Sequence, residues 1–166
     1  EPLQQGNSQI RDWRSATTAE LIDYILRRFH EQHRQEIPEL IRLARRVEQV
    51  HADRSDCPAG LADHLEIMFQ ELLSHMMKEE QVLFPMLLAG SNGEAQSPIS
   101  LMRLEHDQHG DALARLESLT NDITAPADAC NTWNALYAGL ARLREDLMQH
   151  IHLENNILFA NATAQA

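Results

Sequence analysis

Nowhere in the chain do about 18 apolar residues follow one another, so no segment reads as a membrane span. Basic residues are scarce: 14 Lys and Arg stand against 25 Asp and Glu, a formal net charge of -11. Nucleic acids and anionic membranes both attract a basic footprint, and this balance argues against either as a partner. The two cysteines, Cys57 and Cys130, lie far apart and outside any CxxC or CxxCH spacing, so neither a zinc ribbon nor covalently attached haem is indicated. They read as unpaired thiols of a reducing cytoplasm. The polar opening, Glu1 to Ser8, lacks the apolar centre of a signal peptide, and a start on Glu1 instead of methionine reads as a fragment or a processed chain. Strictly alternating apolar runs are also missing, which leaves no strand to propose.

What the chain does have is a short phrase stated twice. His75 and Glu79, followed by Val82-Leu83-Phe84, return as His150 and Glu154, followed by Ile157-Leu158-Phe159. Residues four apart share one face of a helix, so each His/Glu pair offers a nitrogen and a carboxylate to a common object. Both pairs continue an apolar seam with steps of four and three. The first runs through Leu65, Met68, Leu72, His75, Glu79, Val82 and Met86, the second through Leu140, Leu143, Leu147, His150, Glu154 and Ile157. A seam of this rhythm faces neighbouring helices, where an unpaired carboxylate is costly. A metal cation is the natural compensation.

With 43% hydrophobic residues in 166, the chain suits one compact domain. Residues 1–14 read as a linker or tail, and 15–160 as the folded unit. Thr17 and Glu20 have capping-box spacing, so a first helix begins there, with Leu26, His30, His33 and Ile37 in its seam and a kink or split expected at Pro38. A second helix is expected over about 61–89, with Pro85 kinking its last turn. The third is expected to open on Ser97 as cap with Pro98 in its first turn, and the fourth to cover about 127–160. The architecture is all-α: an antiparallel up-down four-helix bundle. The duplication extends to His30-Glu-Gln-His33 on the first helix and His106-Asp-Gln-His109 on the third. The intervals from His30 to His75 and from His106 to His150 are nearly equal. Two helical hairpins about an approximate twofold axis would gather both sets in mid-bundle.

The candidate ligands are therefore His30, His75, Glu79, His106, His150 and Glu154. Imidazole with carboxylate suits iron or manganese, and two carboxylates can bridge two cations that the histidines terminate, which favours a di-iron centre with zinc or manganese left open. A single seam histidine is ordinarily a hydrogen-bonded core residue and a single buried glutamate an arginine partner. Six such residues in repeated positions do not fit that account. His33 and His109 are left open as ligands, partners of ligands or rim residues. His51 and His64 read as bundle-end or surface residues, and His152 as exposed. Glu71 and Glu105 read as solvated surface by default, though either could line a polar path. Met76, Met77, Met86 and Met102 read as gap-filling core, and the Val82-Leu83-Phe84 and Ile157-Leu158-Phe159 runs as packing that keeps water out. Glu48-Gln-Val-His51 is the one approach to a ferritin-type Glu-x-x-His motif, and it falls near a helix end.

The string from Ser74 to Pro85 (Ser-His-Met-Met-Lys-Glu-Glu-Gln-Val-Leu-Phe-Pro) is highly specific. With the His150–Phe159 phrase, Glu105-His106-Asp107 and Asp12-Trp13-Arg14-Ser15, it resembles the iron-sulfur cluster repair di-iron proteins, which are hemerythrin-like bacterial proteins linked to nitrosative and oxidative stress. The resemblance runs from about Asp12 to Phe159. It implies a hemerythrin-like bundle in which the six residues above hold two non-haem iron ions, carboxylate-bridged and oxo-bridged when oxidised. It also implies nitric oxide or oxygen as small ligand, iron-sulfur proteins as clients, and a cytoplasmic location. Family members usually carry a small cysteine-bearing N-terminal domain, which this sequence does not show. Oxygen-carrying hemerythrins place a second histidine four residues along the third helix; here that position is Gly110. Unless His109 substitutes from a different angle, one iron loses a nitrogen ligand, which suits nitric oxide chemistry or iron donation better than oxygen carriage, and the residues do not choose between a nitric oxide reductase and an iron donor. A hemerythrin-like carrier or sensor is the alternative.

Overall fold

The computed structural model describes residues 12–166, so most of the expected tail lies outside the described residues. Its end does not behave as a tail: Trp13–Ser15 form a 3-10 turn capped by Asp12, and the Trp13 ring is buried against Tyr24 with centroids 4.2 Å apart.

Four long helices follow. The first comprises α1 (Thr18–Ile25), a π-helical turn (Leu26–His30) and α2 (Glu31–Val50). The second comprises α3 (Leu61–Lys78), a π turn (Glu79–Leu83) and α4 (Phe84–Leu88). The third is α5 (Gln96–Leu119), and the fourth is α6 (Asn131–Leu153), a π turn (Glu154–Leu158) and α7 (Phe159–Ala164). Contacts run in opposite senses along each neighbouring pair. Glu48 meets Gly60 while His30 meets Glu79; His64 meets Ala112 while His75 meets Glu105; His106 meets Asn155 while Glu117 meets Arg144. The bundle is antiparallel and up-down. Among the described residues no helix is long and apolar enough to cross a membrane.

The capping box forms as expected: Thr17 Oγ1 accepts from the Glu20 amide and Glu20 Oε1 accepts from the Thr17 amide, each at 3.1 Å. Other boundaries need correction. The third helix starts at Gln96 with Ala95 as cap, so Ser97 and Pro98 both lie within its first turn. The fourth begins at Asn131, not 127. The first helix is not split at Pro38, and it contains a π turn that ends on His30.

These π turns explain why a simple seam misleads. In each, a backbone N–H reaches five residues back: Glu31 to Leu26, Phe84 to Glu79, and Phe159 to Glu154. The extra residue per turn rotates everything beyond it by one position. Beyond Glu79 the buried residues are therefore Leu83, Phe84 and Leu87, while Val82, expected inside, is 48% exposed. Leu26 is likewise only half-buried, between Ile25 and Phe29, which are fully buried. Met77 is exposed while Met76 and Met102 are buried.

Two apolar clusters result. One, at the loop 51–60 end, gathers Leu40, Leu65, Trp133, Leu136 and Leu140; the other gathers Trp13, Ile25, Leu83, Ile99 and Leu158. The first and fourth helices come close in the former at Gly139, where an added Cβ would make the end of the Leu40 side chain shift. Between the clusters lies a layer of buried histidine and glutamate.

Candidate metal centre

The layer is built where three of the four helices are wound wide. His30 closes the first π turn, and Glu79 and Glu154 open the second and third. A wide turn is tolerated where a side chain must be aimed, and such turns collect at functional sites. His75 and His150 sit one α-helical turn before their glutamates, as the spacing requires. His106 comes from the regular third helix.

All six predicted residues are brought together, and each is at most 3% exposed. Their atoms form two overlapping groups, His30, Glu79, His150 and Glu154 in one, and His75, Glu79, His106 and Glu154 in the other. Within each group the ligating atoms lie within 4.8 Å of one another. Each histidine turns Nε2 inward. His30 Nε2 lies 3.2 Å from Glu79 Oε1, and His75 Nε2 lies 3.5 Å from Glu79 Oε2. His106 Nε2 is 2.8 Å from Glu154 Oε1, and His150 Nε2 is 2.9 Å from Glu154 Oε2. Each glutamate thus spans the two groups.

The Nδ1 atoms face outward, each with its own partner. His30 Nδ1 meets Glu80 at 2.7 Å, and Arg34 donates to both oxygens of that carboxylate at 2.8 Å. His75 Nδ1 meets Glu105 at 2.9 Å, and Lys78 donates to the other Glu105 oxygen at 2.6 Å. His106 Nδ1 meets Asn155 Oδ1 at 2.7 Å, and His150 Nδ1 meets His33 Nε2 at 3.2 Å. A hydrogen bond to the outer nitrogen fixes the ring and leaves the inner lone pair for a cation. Phe84 stacks on His30 at 5.7 Å and Phe159 on His106 at 5.9 Å, closing the layer from the second apolar cluster.

Electrostatics point the same way. Burial alone would strip the proton from His30, but Glu154, Glu79 and Glu80 prevail and raise it to about 11. His75, also buried, is raised to about 10 by Glu79 and Glu154. Burial opposes ionisation of Glu154, yet His150, His106 and His30 hold it well below the usual carboxylate range. Without a metal, protons do the compensating. They do it poorly: His30 Nε2, both Glu79 oxygens and Glu154 Oε1 are buried without a hydrogen bond, although opposite charges lie near. Buried charges left so cost several kcal/mol each, roughly, unless a cation meets them. Four imidazoles and two carboxylates fit a hard or borderline cation such as iron.

Of the two histidines left open, neither His33 nor His109 belongs to either converging group. Burial and the neighbouring histidines depress both, His33 to about 2 and His109 to about 3, so each is a neutral imidazole at ordinary pH. Glu105 is not free surface, since it carries the outer bond of His75. Glu80 and Asn155 were not singled out in the sequence, though a signal was present: each directly follows a repeated glutamate, Glu79 or Glu154. Gly110 is exposed and lines a depression with His106 and Asn155. Glu71 and His152 are exposed, and His64, half-buried, donates from Nε2 to the Ala112 carbonyl oxygen at 2.7 Å. His51 stacks on Trp133 at the bundle end, 4.7 Å between centroids. Glu48, of the ferritin-type string, caps the second helix by accepting from the Gly60 and Ala62 amides at 2.6 and 2.9 Å.

Residues 21–162 match the family described as Hemerythrin HHE cation binding domain. The chain belongs to that family. Its hemerythrin-like bundle is also similar over nearly all its length to proteins named for iron-sulfur cluster repair. It is 52% identical over 159 residues to the probable iron-sulfur cluster repair protein of Haemophilus influenzae, covering 95% of this chain and 71% of that one. Against the iron-sulfur cluster repair protein YtfE of Musicola paradisiaca, identity is 53% over 152 residues, covering 92% and 68%. Against YtfE of Escherichia coli O81 it is 52% over 154 residues, covering 93% and 70%. The buried His/Glu layer is thus a cluster that could hold a metal, in a domain of a family described as cation binding.

Proposed function

We propose that the chain is a cytoplasmic non-haem di-iron protein that repairs iron-sulfur clusters damaged by nitric oxide or oxidative stress. The observation that carries this reading is that Glu79 and Glu154 each belong to both ligand groups. Two cations could share them as bridges, with His30 and His150 terminating one and His75 and His106 the other. When oxidised, an oxo bridge would complete the pair. Bound iron would supply redox chemistry and a binding position for nitric oxide or oxygen.

The chain's own residues do the rest. Glu80, Glu105, Asn155 and His33 hold the four rings by their outer nitrogens, and Phe84 and Phe159 keep water from the layer. With two imidazoles per cation and Gly110 where a further histidine would stand, the protein provides few ligands. Few ligands leave positions for a small molecule and make metal easier to surrender. Repair by iron donation, by nitric oxide removal, or by both follows from that economy, with iron-sulfur proteins as clients.

The test is to load the chain with ferrous iron anaerobically and mix it with a nitric-oxide-damaged iron-sulfur protein. Recovery of the client's cluster, with iron lost from the chain, supports donation, and nitrous oxide formed on adding nitric oxide supports reduction. Reversible oxygen binding with neither outcome would instead establish the carrier reading.

A further inference from the structure

The four outer partners are not alike in their exposure. The side chains of Glu80 and Glu105 are 27% and 14% exposed. Asn155 lines the depression that also reaches His106 and Gly110, and Glu105 lines a second depression with His109. Water can therefore compete for the bonds that hold His30, His75 and His106. His33, the partner of His150, is 1% exposed. Phe29 lies flat on the His150 ring, centroids 5.2 Å apart and planes 5° apart, and approaches His33 at 6.3 Å. The His33–His150 pair is dry and clamped.

The twin of His33 in the repeat has no such task. His109 packs edge-on to His75 at 4.8 Å, but Glu105 already holds the outer nitrogen of His75, and His109 Nδ1 is buried with no hydrogen-bond partner. The difference traces to one position. The residue before His106 is Glu105, which reaches His75, whereas the residue before His30 is Phe29, which can only stack on His150. The outer nitrogen of His150 is thereby left to His33.

The geometry points to His33 as a positioning residue for His150, making the place formed by His30, Glu79, His150 and Glu154 the retained one of the two. The place formed by His75 and His106 empties first. This rests on the two-cation reading above. When the His150 Nε2 lone pair faces a cation, its ring proton sits on Nδ1 and is donated to His33 Nε2, so His33 holds its own proton on Nδ1. His150 then cannot turn without breaking that bond and leaving the face of Phe29.

The experiment follows iron release from the anaerobically loaded full chain into a ferrous chelator, in the unsubstituted protein and in His33→Leu and His33→Gln. Release in two phases is expected. His33→Leu should speed only the slow phase, about 10- to 100-fold, as loss of a ligand's outer partner typically does. His33→Gln, which keeps an acceptor, should return the slow phase toward the unsubstituted rate. In zinc-loaded protein, a slowly exchanging His150 Nδ1 proton should be seen by NMR in the unsubstituted chain and lost in His33→Leu. A slow phase or a proton signal untouched by His33→Leu would overturn the inference, as would equal acceleration of both phases. Uptake of fewer than two irons by the unsubstituted chain would instead overturn the two-cation reading, and this inference with it.

Discussion

The two hairpins repeat each other in what they point at the layer and differ in what stands behind it. Residues 18–88 and 96–164 each supply one histidine from the leading helix, a His/Glu pair from the returning helix, a π turn at that glutamate, and a phenylalanine on the leading histidine. Behind these the halves part. A carboxylate clamped by Arg34 backs His30, while the neutral Asn155 backs His106. The returning histidine of the first hairpin, His75, rests on Glu105, and that of the second, His150, on His33. A π turn leads into His30, and none leads into His106. Which side chains converge on the layer follows the duplication, and the charge and exposure of what supports each of them do not. A carboxylate partner makes an imidazole a stronger donor than a neutral one does, so twin sites need not behave as twins.

The largest effect expected is one the two halves share. Replacing Glu154 by Gln removes a group common to both places and leaves His106 and His150 without their nearest carboxylate. Stable iron retention should be lost at both, and the metal-free protein should lose about 3–5 kcal/mol of stability, measured by denaturant unfolding. Loss confined to one place would break the symmetry of the bridge.

Next come the differing supports. Glu105→Gln should weaken iron affinity about 10- to 100-fold. Asn155→Ala removes one neutral hydrogen bond that water in the adjoining depression can replace, and should cost only roughly two- to tenfold. Equal losses in a chelator competition would show that the charge of the partner is irrelevant.

A pH dependence follows from the metal-free layer. His30 and His75 hold protons up to about 11 and about 10, and a cation must displace them. Iron uptake in weak buffer at neutral pH should therefore release protons, and affinity should rise with pH. For stability the sign is opposite. The folded values lie above the ordinary histidine value of about 6.5, so the two rings' contribution is complete below that pH. It is lost as pH rises through about 10 to 11. Metal-free protein that gained stability between pH 7 and 11, with these rings as the variable, would contradict the assignment.

The smallest effect is at Gly110. An added Cβ there meets nothing within 4 Å, so Gly110→Ala should stabilise the third helix by about 0.4–1 kcal/mol and leave iron content unchanged. A drop in iron content would mean that the depression over His106 matters to loading.

The convergence of these six residues was legible because His/Glu spacing, seam position and duplication all selected them, and local spacing is what a helix converts directly into a shared face. The register beyond Glu79 was not. A π turn leaves no simple mark in apolar periodicity, so Val82 was expected inside where Leu83 and Phe84 belong. Pro38 was a visible mark, yet the helix is not split there. The outer partners were hardest to read: Glu105 reaches His75 across helices, and only tertiary packing reveals such a bond. Glu80 and Asn155 were nearer to hand, standing at matched positions after the repeated glutamates.

The most direct test is the iron stoichiometry of the anaerobically reconstituted chain beside that of Glu79→Gln and Glu154→Gln. Two irons per chain, with either substitution costing both, is the predicted result. One iron per chain, or a glutamate substitution that leaves one iron firmly held, would contradict a centre in which Glu79 and Glu154 bridge two cations.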